Sequence, residues 1–198
     1  RTFSIADSTG AAADLTVSAN ISNSSGTAGI TKTGAGTLVL SGNNTYTGTT
    51  AIDAGILTVA NGNAIANTGA VTLANIAGAS LQINNSETIG SIAGGGATGG
   101  SLVLQPGATL SSGANTTFAG AITGNSTTGL TKVGAGTMTV SGNNADFNGT
   151  YTVSDGTLTV TSMAAFGTPI ALVIGSAGAV FDASAIATVS PTVPITIS

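Results

Sequence analysis

One stretch of this chain is written twice, about a hundred residues apart, and that repetition limits the possible folds more than any other feature. Residues 29–59 read GITKTGAGTLVLSGNNTYTGTTAIDAGILTV, and residues 129–160 read GLTKVGAGTMTVSGNNADFNGTYTVSDGTLTV. The GAGT blocks (34–37 and 134–137) and the SGNN blocks (41–44 and 141–144) keep an offset of 100. The second copy then gains one residue, so that Gly55 answers to Gly156 and Val59 to Val160. A long internal repeat of this kind points to a stack of like units, each burying its apolar side against the next.

Short apolar patches that alternate with polar residues recur along the chain. They are Leu15-Thr-Val17, Leu38-Val-Leu40, Leu57-Thr-Val59, Leu81-Gln-Ile83, Leu102-Val-Leu104, Met138-Thr-Val140 and Leu158-Thr-Val160. Each is bounded by Gly, Asn, Ser or Asp, the signature of short strands separated by turns. No segment keeps an apolar 3.6-residue period, and glycine is too frequent for long helices, so little or no helix is expected. Leu15, Leu38, Leu57, Leu81, Leu102, Phe118, Met138, Leu158 and Phe181, taken as marks of successive turns, give a mean step just under 21 residues. A coil of that length with two or three strands matches one rung of a parallel β-helix, lying on its neighbour at about 4.8 Å. The fold class expected is therefore all-β, a parallel β-helix (β-solenoid) of about nine rungs, roughly 40 Å long. No linker or change of composition interrupts it, so residues 1–198 read as a single continuous domain. The hundred-residue period amounts to about five rungs, and Ile170 to Ala183 weakly echoes Val71 to Ile83.

The turn residues fit that picture. Asn43 and Asn44, like Asn143 and Asn144, follow a glycine at a strand end. Asparagine tolerates left-handed backbone and bonds its own turn, so both pairs read as corners. Gly55 and Gly156 read as turn glycines with positive φ. Gly94-Gly95-Gly96 reads as a corner, Pro106 as a turn, and Pro169, Pro191 and Pro194 as corners or edges, because proline cannot donate to a ladder.

Composition excludes several functions. The chain has 3 Lys+Arg against 7 Asp+Glu, a net charge of -4, and neither His nor Cys. Arg1, Lys32 and Lys132 are scattered, whereas nucleic-acid binding needs clustered cations. The longest clean apolar run, Ile170 to Ile174, is far short of the ~20 residues of a membrane-spanning helix. The chain does not begin with Met and shows no signal peptide at Arg1, so it reads as a mature product or a piece of something longer.

Nucleophilic triads and most metal sites rely on His or Cys. The remaining acid–base candidates are Asp7, Asp14, Asp53, Glu87, Asp146, Asp155 and Asp182. Asp53 and Asp155 read as turn formers beside Gly55 and Gly156, and Asp182 as an outward strand residue. Lys32 and Lys132 hold equivalent repeat positions, which favours a structural role. GAGT lacks the frame of a phosphate loop and the Ca²⁺ nonapeptide is absent. Thr137, Thr139, Thr157, Thr159 and Thr161 read as ordinary strand surface. No catalytic, cofactor-binding or metal site is expected, and the chain reads as a non-enzyme.

Both copies resemble the passenger-associated transport repeat, the autotransporter-associated β-strand repeat of bacterial secreted proteins. The first carries its Thr31, Lys32, Gly34, Gly36, Thr37, Leu38, Leu40, Ser41, Gly42, Asn44, Tyr46, Gly48 and Thr50, followed by Gly55, Leu57 and Val59. The second keeps Lys132, Gly134, Gly136, Thr137, Ser141, Gly142, Asn144 and Gly156, but has Asp146 and Phe147 at the Tyr46 position, so its corner is expected to be re-shaped. The resemblance implies a right-handed helix, export across the bacterial envelope, and an extracellular or outer-surface location. It implies no shared enzyme activity and no cofactor, and it makes the repeat residues structural.

The leading expectation is a passive passenger or stalk segment whose partners are the flanking rungs of the same protein. The alternative is a fibre subunit that stacks end to end on itself. Arg1 to Ile5 and Val193 to Ser198 read as strands cut mid-pattern, and open solenoid ends stack without closing. A carbohydrate-active β-helix enzyme is disfavoured.

Overall fold

The computed structural model describes residues 1–186 and 193–197; Pro191 and Ser198 lie outside them. Where apolar and polar residues alternate in sequence, the backbone is extended, and one side of each strand is buried. Ile30–Thr33, Thr37–Leu40, Thr137–Val140 and Thr157–Val160 all show this alternation. Every strand pairing among the described residues is parallel. The strands form three sheets. The first has nine strands, from Thr2–Ser4 to Val180–Asp182. The second has six, from Leu15–Val17 to Ile122–Thr123. The third has six, from Glu87–Ile89 to Ile195–Ile197. This is a parallel β-solenoid of about eight turns, close to the nine rungs expected. Helix is confined to one turn, Met163–Phe166, whose first free N–H groups are served by the Ser162 hydroxyl, 3.0 Å from the Ala165 nitrogen.

Like side chains lie over like. Leu15, Leu38, Leu57, Leu81, Leu102 and Ile122 occupy one inward column of the second sheet. From Leu38 on, all of them are completely buried. Each such leucine contributes about 2 kcal/mol by leaving water. A single buried cluster runs from Ile30 to Leu172.

The two repeat copies do not share faces. Up to Ser80–Ile83 the chain alternates between the first and second sheets and crosses the third face as loop. From Ala70–Leu73 to Thr137–Val140 it visits all three sheets in turn, and after that it alternates between the third and the first. The first copy therefore places Ile30–Thr33 and Thr50–Ile52 in the first sheet, with Thr37–Leu40 and Ile56–Val59 in the second. The second copy places Gly129–Lys132 and Thr150–Val153 in the third sheet, with Thr137–Val140 and Thr157–Val160 in the first. The fainter echo shows the same displacement: Ala70–Leu73 and Ser80–Ile83 lie in the first and second sheets, Ala171–Ile174 and Val180–Asp182 in the third and first.

The whole unit has turned by one face. Its copies lie about four and two-thirds turns apart, not five. Accordingly the marks Phe118, Met138, Leu158 and Phe181 run down the first sheet, whereas Leu15 to Leu102 run down the second and continue to Ile122. The cause is the run of three-stranded coils between the copies, which brings an extra face into each turn.

Candidate functional site: the buried anchors of the repeat

Strand alternation puts Lys32 on the same side as Ile30, and so inside the solenoid. Both Lys32 and Lys132 are completely buried. The Lys32 Nζ donates to the carbonyls of Thr33 (3.0 Å), Gly34 (2.8 Å) and, on the next coil, Ala54 (3.1 Å). Lys132 repeats this with Val133 (2.8 Å), Gly134 (2.5 Å) and Asp155 (3.3 Å). Three carbonyl oxygens stand in for water around each ammonium. Burial still pushes both lysines below the ordinary value, with Asp14 and Asp155 acting weakly the other way.

Glycines make room for this node. Gly55 has φ 66°, and a Cβ there would lie 2.4 Å from the Gly34 oxygen, 2.5 Å from the Gly36 oxygen and 2.7 Å from the Lys32 Nζ. Gly156, at φ 67°, would meet the oxygens of Gly134 and Gly136, each at 2.4 Å. The positive φ expected at both is present. The next repeat positions bond the coil beneath. The Thr37 N–H donates to Asp14 (2.7 Å) and the Thr137 N–H to Asn115 (2.6 Å). Ser41 and Ser141 donate their N–H groups to Val17 and Phe118, both at 3.0 Å. At Gly42 and Gly142 the backbone passes so close to Ala19 and Gly120 that a Cβ would sit 2.4 and 2.0 Å from their oxygens.

The asparagines act differently from the expectation. No described residue other than glycine has positive φ. Asn44 is buried and spans three coils: its Oδ1 accepts the Ile21 N–H (2.8 Å) and its Nδ2 donates to the Ala64 carbonyl (2.7 Å). Asn144 does the same between the Ile122 N–H (2.7 Å) and the Ala165 carbonyl (2.6 Å). A primary amide carries the same donor and acceptor as a peptide group, so on the strandless face these side chains replace a ladder rung. Only Asn143 bonds its own turn, accepting from the Ala145 N–H at 3.2 Å. Asn144→Ala would strand a buried donor and a buried acceptor, and is expected to cost about 2–4 kcal/mol in urea unfolding. The exposed Asn143→Ala is expected to stay within about 0.5 kcal/mol.

The second corner is re-shaped as anticipated. In the first copy the buried Tyr46 and Thr50 hydroxyls pair at 2.6 Å. In the second, Phe147 is buried in place of Tyr46, and Tyr151 stands in place of Thr50 with its ring centroid 4.7 Å from that of Phe147. Ring contacts continue to Phe166 (5.7 Å) and Phe181 (5.4 Å). The turn at Ala145 and Asp146 stays exposed.

The carboxylates are dispersed. Asp7, Asp53 and Asp146 are exposed. Asp155 accepts the Gly156 N–H at 2.8 Å, as a turn former would. Asp182 is half-buried and tied to the Ser184 N–H (2.9 Å) and the Thr159 hydroxyl (3.4 Å) rather than standing free in solvent. Hydrogen bonds from the Ser8 hydroxyl and from the N–H groups of Thr37 and Ser8 hold Asp14 below the usual carboxylate range. No three His, Cys, Asp or Glu gather as a metal-binding group among the described residues. Two concavities, of about 430 Å³ beside Arg1, Asn23 and Tyr46 and about 310 Å³ beside Gly96, Ala121 and Asn143, are lined by no carboxylate. Glu87 stands apart, buried with no cation beside it. Its signal in the sequence is its alternation with Ile89.

Residues 30–59 and 130–160 match the family described as the passenger-associated-transport-repeat. The chain is 43% identical over 119 residues, 58% of its length, to the adhesin BmaC autotransporter of Brucella suis biovar 1 (strain 1330). That stretch is 3% of the adhesin, so the chain spans a small part of the relative it matches. No solved structure matches it. No helix among the described residues is long and apolar enough to cross a membrane. The chain is thus a passenger-associated-transport-repeat protein, a β-solenoid that carries the repeat twice, one face apart.

Proposed function

We propose that residues 1–198 are one continuous, non-enzymatic section of a longer exported passenger on the bacterial surface, serving as a stalk or scaffold of adhesin type. The repeat match, the solenoid and the autotransporter relative support export and an outer location. One observation carries the passive role. The polar side chains that distinguish the repeat, Lys32, Lys132, Asn44 and Asn144, are all buried and all bonded to backbone. The repeat therefore holds coils together and presents no reactive group to a substrate. The repeat glycines serve the same end by letting coils approach.

A second reading has its own support. Val180, Ile195 and Ile197 are 49%, 62% and 79% exposed on the last described strands. Flanking rungs would cover these edges in a stalk, and a second copy would cover them in a fibre. Electron microscopy of the purified chain is expected to show single rods roughly 40 Å long, and filaments would favour the fibre. Turnover of a polysaccharide that disappears in Asp53→Asn or Asp155→Asn would overturn both.

A further inference from the structure

Glu87 opens the first strand of the third sheet, at the seam where coils with two strands give way to coils with three. Above it the strand pairs normally, with Glu87 opposite Leu110. Below it the chain crosses the same face as a loop, residues 61–68. That loop is bonded downward by the Asn44 amide to the Ala64 carbonyl (2.7 Å) and by the Asn44 N–H to the Asn63 carbonyl (2.9 Å). Upward, its bonds to the next coil are the N–H groups of Ala64 and Ile65, and both go to the Glu87 carboxyl, at 3.2 and 3.4 Å. One titratable side chain therefore carries the polar connection across the seam.

That side chain is 2% exposed. The loop below, the preceding residues 84–86, and the strands Ser80–Ile83, Ser91–Gly94 and Thr109–Ser112 contain no ionisable side chain. Tyr46, from the coil beneath the loop, is the titratable group that faces it, and the carboxyl's charge raises the phenol further. No lysine or arginine compensates the carboxylate. A buried charge without a partner favours either its neutral form or the entry of water.

We propose that Glu87 is a protonation-operated latch: neutral, it closes the seam between the loop-crossed and the three-sheet coils; ionised, it loosens residues 61–68 from the coil above. Burial lifts its carboxyl from the ordinary 4.5 to about 7, against the opposing pull of the two N–H bonds. An acid raised in the fold binds its proton more tightly there than in the open chain. Its contribution is thus complete below about 4.5 and is lost as pH rises through about 7.

Hydrogen exchange of the 61–68 amides, each normalised to its unstructured rate at the same pH, tests this. Protection is expected to fall roughly 10- to 30-fold between pH 5.5 and 8.5. Glu87→Gln, equal in size and uncharged, is expected to keep the pH 5.5 protection throughout. Equal wild-type protection at both pH values, a rise toward pH 8.5, or a Glu87→Gln variant that tracks the wild type would each overturn the latch. The chain has no Trp and two Tyr, so in a Tyr151→Phe background the fluorescence of Tyr46 reports the same event without altering Glu87. A transition centred near pH 7 is expected, and a flat trace would refute it.

Discussion

Lys132→Met is expected to lower the melting temperature by roughly 10 °C, equivalent to about 3 kcal/mol for a chain of this size. Two effects oppose each other. Removing a buried ammonium relieves a desolvation penalty, and methionine fills much of the same space. Against that, the carbonyls of Val133, Gly134 and Asp155 lose their donor inside the stack. Each buried carbonyl left unpaired costs about 1–3 kcal/mol, so three outweigh the relief. Lys32→Met should cost a similar amount, because Thr33, Gly34 and Ala54 are held in the same way. Thermal unfolding followed by circular dichroism measures both, and a variant as stable as the parent would show that the lysine is not an anchor.

Gly156→Ala is expected to have a larger effect, above about 4 kcal/mol. Part of this is the left-handed backbone, worth about 1–2 kcal/mol for a residue with a Cβ. The rest is collision, since the new carbon would sit 2.4 Å from two carbonyl oxygens of the coil beneath. Neither oxygen can move without breaking the Lys132 node, so the coil must lift and the apolar ladder under it opens. Gly134 separates the two contributions. It has nearly the same conformation, φ 69°, but its nearest atom would be 3.9 Å away. Gly134→Ala should therefore cost only the backbone share, about 1–2 kcal/mol. Urea unfolding compares the two, and equal losses would refute the collision.

Much of the fold was legible because a solenoid writes its period into the sequence. Strand alternation, the Gly and Asn boundaries and the step near 21 residues all reflect coils that each meet only their neighbours. The phase of the copies was not read, although a trace of it was present. The step from Leu102 to Phe118 is 16 residues, too short for a full coil, and it marks the change of column.

The buried charges left a clearer signal. Lys32 alternates with Ile30, Lys132 with Leu130 and Glu87 with Ile89, so parity alone places all three inside. Residue type argued the other way, since lysine and glutamate are rarely buried. The asparagine amides could not be read from the chain. Whether Asn44 bonds its own turn or the coils above and below depends on which backbone groups the strandless face leaves unpaired, and that is a property of the stack.

The most direct test of parallel, in-register stacking is a cysteine pair at Thr139 and Thr159. These residues lie opposite each other on adjacent strands of the first sheet and point away from the core. The chain has no cysteine of its own, and neighbouring strands at about 4.8 Å suit disulfide geometry. Mild oxidation of Thr139→Cys/Thr159→Cys is expected to give a nearly complete intramolecular link in the folded protein, and none after unfolding in urea. A folded double variant that fails to link would contradict the stacked-coil account.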